Sequence, residues 1–153
     1  MLGKARATRY GQRTATPHLV VNDATEAIDF YTRAFGAKEL MRIERNGKVD
    51  HAQIRIGNSC ILISDEHPQA GLLSPRSLGG SPVRIFLYVA NVDTFVGKAV
   101  AIGARLQGGV DDKLDGDRSG SLEDPFGHTW QVATHKEDVS TEEIQHRTDS
   151  LSD

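Results

Sequence analysis

Pro17-His18-Leu19-Val20-Val21-Asn22-Asp23, running on through Ala24-Thr25-Glu26-Ala27-Ile28-Asp29-Phe30-Tyr31-Thr32-Arg33-Ala34-Phe35-Gly36-Ala37, is the stretch that decides the fold. Its first five residues are a short β-prone run that stops at Asn22-Asp23. After it, Ala24, Ala27, Ile28, Tyr31, Ala34 and Phe35 recur at the spacing of one helical face. Asn22 or Asp23 is placed to cap that helix, and Gly36 stands where a left-handed C-terminal residue is wanted. Three β-prone segments follow, 39–45, 51–56 and 60–64. Between them, Asn46-Gly47 and Gly57-Asn58 are hairpin turn signals. The order is β-α-β-β-β.

From Val83 the order returns. Residues 83–89 form a strand, and 92–102 a helix with Val92, Phe95, Val96, Ala99 and Val100 inward. Gly103-Ala104 closes it as Gly36-Ala37 closes the first helix, about 67 residues earlier. Strands are expected over 105–108, 118–123 and 128–134. One supersecondary unit written twice suggests duplication, with each sheet packed on its own helix. The organisation expected is a basic N-terminal arm over 1–14, a first βαβββ module over 15–64, a linker over 65–82, a second module over 83–136, and a C-terminal helix and tail over 137–153. The linker is rich in Gly, Pro and Ser and long for a compact domain. Ser140 with Glu143 three residues on is a capping box for the last helix.

Composition narrows the classes of function. A net charge of −3 argues against general affinity for nucleic acid. No apolar run approaches the ~18 residues of a membrane span. The arm carries Lys4, Arg6, Arg9 and Arg13 but no apolar core, so it does not read as a secretory signal. One cysteine, Cys60, makes no internal disulfide and suits a reducing compartment. The expectation is a soluble cytoplasmic protein. Nucleophile-elbow, phosphate-loop, paired-cysteine and dinucleotide motifs are all missing from the sequence; Gly79-Gly80 and Gly108-Gly109 read as flexible loop elements.

Several motifs together carry a resemblance. The opening stretch, His51-Ala-Gln-Ile-Arg-Ile-Gly-Asn-Ser59, Ile63-Ser-Asp-Glu66, Gly116-Asp-Arg118, Asp124-Pro-Phe-Gly-His-Thr-Trp130 and Ala133-Thr-His135 resemble the glyoxalase/bleomycin-resistance/dioxygenase (vicinal oxygen chelate) superfamily, in its PhnB-like branch. The similarity covers roughly residues 15–144. It implies an α+β protein of two βαβββ modules, their curved mixed sheets around a shared cavity that binds a small organic ligand, in a homodimer. Superfamily enzymes typically hold a divalent metal with His, Glu or Gln from the first and last strand of each module. Those positions fall here at Thr16, at Ile63 or Ser64, at Arg84 and at Gln131. That is not a metal set, and an arginine opposes one. The expectation is therefore no cofactor and no metal.

Side chains alternate along a strand, so if Thr16 faces the cavity His18 does too. The same rule groups His51, Gln53 and Arg55, then Arg84, Phe86 and Tyr88, and sets Gln131 with Thr129 and Ala133. The expected ligand-binding residues are Thr16, His18, Gln53, Arg84, Phe86, Tyr88 and Gln131, suited to an anionic or carbonyl group with a flat apolar part. His51 reads as a rim residue. His18 is either the catalytic candidate, as a general base, or a hydrogen-bonded strand histidine. Arg84 is the sharpest of them, because an arginine in an apolar strand needs an anion, a carboxylate or a cavity. Trp130 and His128 belong under the helix, Asp124 serves its turn, His135 ends a strand in a surface hydrogen bond, and Asp117 and Arg118 pair with each other. The alternative reading is a metal-dependent lyase, isomerase or dioxygenase, its ion gathered by His18 and His51 with Gln131 or a carboxylate.

Overall fold

The computed structural model describes residues 12–152, so Lys4, Arg6 and Arg9 of the basic arm lie outside the described residues. The chain divides into two units, one reaching Gly80 and the other starting at Ser81. Each holds one four-stranded mixed sheet and its own helix; the architecture is α+β, with neither sheet closed.

The first unit runs β1 (His18–Val21), α1 (Ala24–Phe35), β2 (Lys38–Arg45), β3 (Lys48–Ile56) and β4 (Ser59–Asp65). Its strand order is β1-β4-β3-β2, with β1 parallel to β4 and the other pairs antiparallel. The helix forms where its apolar face allows: Ala24, Ala27, Ile28, Tyr31, Ala34 and Phe35 are all buried, and Phe30 joins them. Asp23 caps it by accepting from Glu26 N, and Gly36 ends it at φ 67°. Under it lie Ala52, Ile54, Ile61 and Ile63, alternate residues of β3 and β4. Asp65 ties the ladder to the helix, accepting from Ala24 N at 2.8 Å and Val49 N at 2.7 Å. Asn46 and Gly47 take positive φ, as their hairpin requires.

Residues 65–82, expected as linker, hold more structure than that word implies. The segment forms a 3-10 turn at Pro68–Ala70 and a short helix, α2 (Pro75–Leu78), which packs on β1. Ser74 caps α2, and Glu66 accepts from Ser74 N at 2.7 Å and from the Ser77 hydroxyl.

The second unit runs β5 (Arg84–Tyr88), α3 (Val92–Ala101), β6 (Arg105–Asp112), β7 (Asp117–Glu123), β8 (Thr129–His135) and α4 (Thr141–Asp149). Strand order is β5-β8-β7-β6, with β5 parallel to β8. Val92, Val96 and Ala99 of α3 are buried, but Phe95 is half-buried and Val100 exposed, so its apolar stripe is narrower than the spacing suggests. Gly108-Gly109 is no free loop either. It lies inside β6, where the register with β7 shifts between Gln107 and Asp111; such glycines accommodate a bulge. Ser140 caps α4 through Glu143 N at 3.1 Å.

Candidate functional site: the open face of the second sheet

One face of the β5-β8-β7-β6 sheet packs on α3 through Trp130, Leu122 and Val132; the other face is open. Register sets what the open face presents. Arg84 lies beside Thr129, which lies beside Glu123; Phe86 beside Gln131 beside Ser121; Tyr88 beside Ala133 beside Ser119. His135 and Asp117 form the last row. Arg84, Phe86, Tyr88 and Gln131 thus share one face, with Phe86 47% and Tyr88 60% exposed. The two rings lean on each other at 5.0 Å.

Arg84 and Tyr88 both reach across β8 to β7. Arg84 Nη2 donates to Ser121 Oγ at 2.5 Å, and no carboxylate among the described residues lies within ion-pair distance of it. Arg105, on the opposite edge strand β6, does find one, Glu123 at 2.6 Å. Arg84 is therefore a cation held in place by a neutral group, on the face that also carries Phe86 and Tyr88. A guanidinium in that state is a receptor for an anion or a carbonyl.

At the other end, the Tyr88 hydroxyl donates to Asp117 Oδ2 at 2.8 Å. Asp117 Oδ1 lies 2.7 Å from His135 Nδ1, and His135 Nε2 lies 2.6 Å from Asp138. The sequence reading misses this chain. Asp117 does not pair with Arg118, since consecutive strand residues face opposite ways; Arg118 instead turns to α3 and meets Asp93 at 2.8 Å, and Asp112 at 3.2 Å. Alternation alone would have separated the two. Between the ends stands Ser119, 1% exposed, whose hydroxyl has no partner among the described residues. Leaving such a group unmet costs about 1–3 kcal/mol.

The first sheet has its own polar group on the face away from α1. His18 Nε2 lies 2.9 Å from Ser64 Oγ, and Gln53, 5% exposed, accepts from Gln12 at 3.1 Å. Register resolves the choice between Ile63 and Ser64: Ile63 is under the helix, and Ser64 lies with Val20 on the face of His18. Thr16 is half-buried and precedes β1. Both carry the hydroxyls of the four positions to which the superfamily's metal ligands map. With Arg84 and Gln131 they do not fit a divalent ion, since a guanidinium offers no lone pair and a neutral hydroxyl is a weak donor. Among the described residues, no three His, Cys, Asp or Glu gather to hold one.

The surroundings of the two histidines shift their pKa values in opposite directions. Hydrogen bonds to Asp117 and Asp138 raise His135 above its ordinary 6.5. Partial burial, then the charge of nearby His51, lowers His18 below it. In an NMR titration, His135 ring signals should move at a pH above 6.5 and those of His18 below 6.5. His135 stabilisation is full below pH 6.5 and fades as pH rises through its folded value. The His18 contribution is present above pH 6.5 and is lost as pH falls through its own. Coincident titration of both rings near 6.5 would contradict these surroundings.

Tandem βαβββ units, each with an open sheet face, define the class. The chain belongs to the Glyoxalase/Bleomycin resistance protein/Dioxygenase superfamily, whose sequence model matches residues 12–132. An uncharacterized protein of Mycobacterium bovis is 42% identical over 142 residues, covering 90% of this chain and 93% of that one. The solved structure of an Arabidopsis thaliana gene product is 27% identical, with a TM-score of 0.66 over 79% of this chain and 98% of its own. A Bacillus cereus PhnB protein, described as a putative 3-demethylubiquinone-9 3-methyltransferase, has the same fold at 20% identity and a TM-score of 0.59, covering 80% of this chain and 99% of its own. No described helix is long and apolar enough to cross a membrane.

Proposed function

We propose that this protein binds a small organic ligand bearing an anionic or carbonyl group and a flat apolar part, on the open face of its second sheet, without a metal. The observation that carries the reading is Arg84, charged, with no carboxylate partner among the described residues, on the same sheet face as Phe86 and Gln131. A guanidinium supplies paired donors to an oxyanion, and the rings supply area for an aromatic or conjugated body. On the first sheet, taken by itself, Thr16, His18 and Gln53 are proposed as a separate set of ligand-facing groups. The donor set speaks against the alternative, a metal-dependent lyase, isomerase or dioxygenase. Within this reading the protein works in the cytoplasm as a homodimer, in keeping with its single cysteine and with superfamily habit.

The test uses 3-phenylpropanoate as probe, followed by calorimetry or amide shifts. Arg84→Ala should weaken binding about tenfold or more, the worth of a charge-assisted hydrogen bond. Arg105→Ala removes a guanidinium already matched by Glu123 and should leave affinity unchanged. Dialysis against a chelator should change nothing. Equal losses for both arginines, or loss on chelation, would overturn the reading.

A further inference from the structure

The open face of the second sheet has a hydrogen-bond polarity that an anion receptor alone does not need. Arg84 can only donate. At the other end, the one proton of the Tyr88 hydroxyl is committed to Asp117 Oδ2 at 2.8 Å. What the exposed phenol has left is lone pairs, so toward a ligand it can only accept. Asp117 cannot substitute as a receptor, being 5% exposed with one oxygen taken by Tyr88 and the other by His135. His135 holds that arrangement from behind, with Asp138 on its second nitrogen. Ser121, which holds Arg84, and Asp117, which holds Tyr88, are four residues apart on β7, a span of about 13 Å. Ser119 lies between them on the same face, buried, its hydroxyl unmatched by any described residue.

We infer that the ligand is polar at both ends, with a carboxylate or similar acceptor at Arg84 and a hydroxyl or amine donor at Tyr88 Oη, its flat body on Phe86. This rests on the function proposed above and adds the direction in which the ligand lies. Phe86 and Tyr88 lean together at 5.0 Å, so a ring stacked on Phe86 has its far substituent close to the phenol. Asp117 and His135 are positioning residues: they fix which way the phenol proton points.

The experiment compares three probes, 3-(4-hydroxyphenyl)propanoate, its 4-methyl ether and 3-phenylpropanoate. On the wild-type protein the hydroxy compound should bind about fivefold more tightly than the ether, the worth of one hydrogen bond. Tyr88→Phe keeps the ring and should erase that preference, bringing the hydroxy compound and its methyl ether to equal affinity. Arg84→Ala should weaken all three alike. A methyl ether that binds as well as the phenol, or a preference that survives Tyr88→Phe, overturns the inference while the Arg84 reading stands. Absence of binding by all three, or indifference to Arg84→Ala, overturns both. A dispersed amide spectrum of each variant separates lost contact from lost fold.

Discussion

Gly116→Ala should destabilise the protein by about 4 kcal/mol, read as a lower urea midpoint at unchanged slope. Two costs add. Gly116 adopts φ 92°, a conformation that holds an alanine at a cost of about 1–3 kcal/mol. A Cβ there would also stand 2.2 Å from the carbonyl oxygen of Glu137, and close to the Glu137 and Val139 side chains. Backbone cannot yield easily at that point. Gly116 O accepts from both Lys136 N at 2.9 Å and Glu137 N at 3.1 Å, pinning the exit of β8 against the β6–β7 turn. Overpacking of this kind costs about 1–3 kcal/mol more. Gly47→Ala is the control, because its φ of 76° is equally awkward while nothing lies within 4 Å of the new Cβ. It should show the strain alone. Equal losses at the two sites would mean that the contact with Glu137 has no weight.

Asp124→Ala should cost a similar amount, about 4 kcal/mol, through unmet donors rather than crowding. Asp124 is 1% exposed. Its Oδ1 accepts from Phe126 N at 2.9 Å and His128 N at 3.0 Å, and its Oδ2 from Trp130 Nε1 at 2.9 Å. Alanine strands three donors, two of them backbone groups of the turn that launches β8. Asparagine keeps one oxygen for the turn but sets an N–H against the indole N–H, so Asp124→Asn should fall between, at about 2 kcal/mol. Trp130 is the only tryptophan and fully buried, so its fluorescence reports the transition directly. An alanine variant within about 1 kcal/mol of the wild type would show that water replaces the carboxylate at no cost.

Local chemistry made much of this molecule legible. The caps at Asp23, Gly36 and Ser140, the Asn46-Gly47 turn and the apolar face of α1 depend on neighbours within one helical or hairpin turn, and all stand as the residues suggest. Alternation along β5 was enough to put Arg84, Phe86 and Tyr88 together, because the period of a strand is set by its backbone. The turn role of Asp124 was readable too, though its bond to Trp130 was not.

Pairing between strands is another matter. Asp117 meets His135 because β7 and β8 settle in one register, 18 residues apart along the chain, and nothing local states that register. Tyr88 reaches Asp117, and Arg84 reaches Ser121, by crossing β8 over Ala133 and its neighbours, a path open only once that strand lies between them. Gly108-Gly109 has the composition of a loop, yet the ladder with β7 draws it into β6. The sequence by itself determined the units, their order and which side chains share a strand face, since these follow from period and short-range bonding. Tertiary structure alone decided which faces' residues touch, where the Tyr88 proton points and why Gly116 must be glycine, because each depends on atoms brought close by distant pieces of chain.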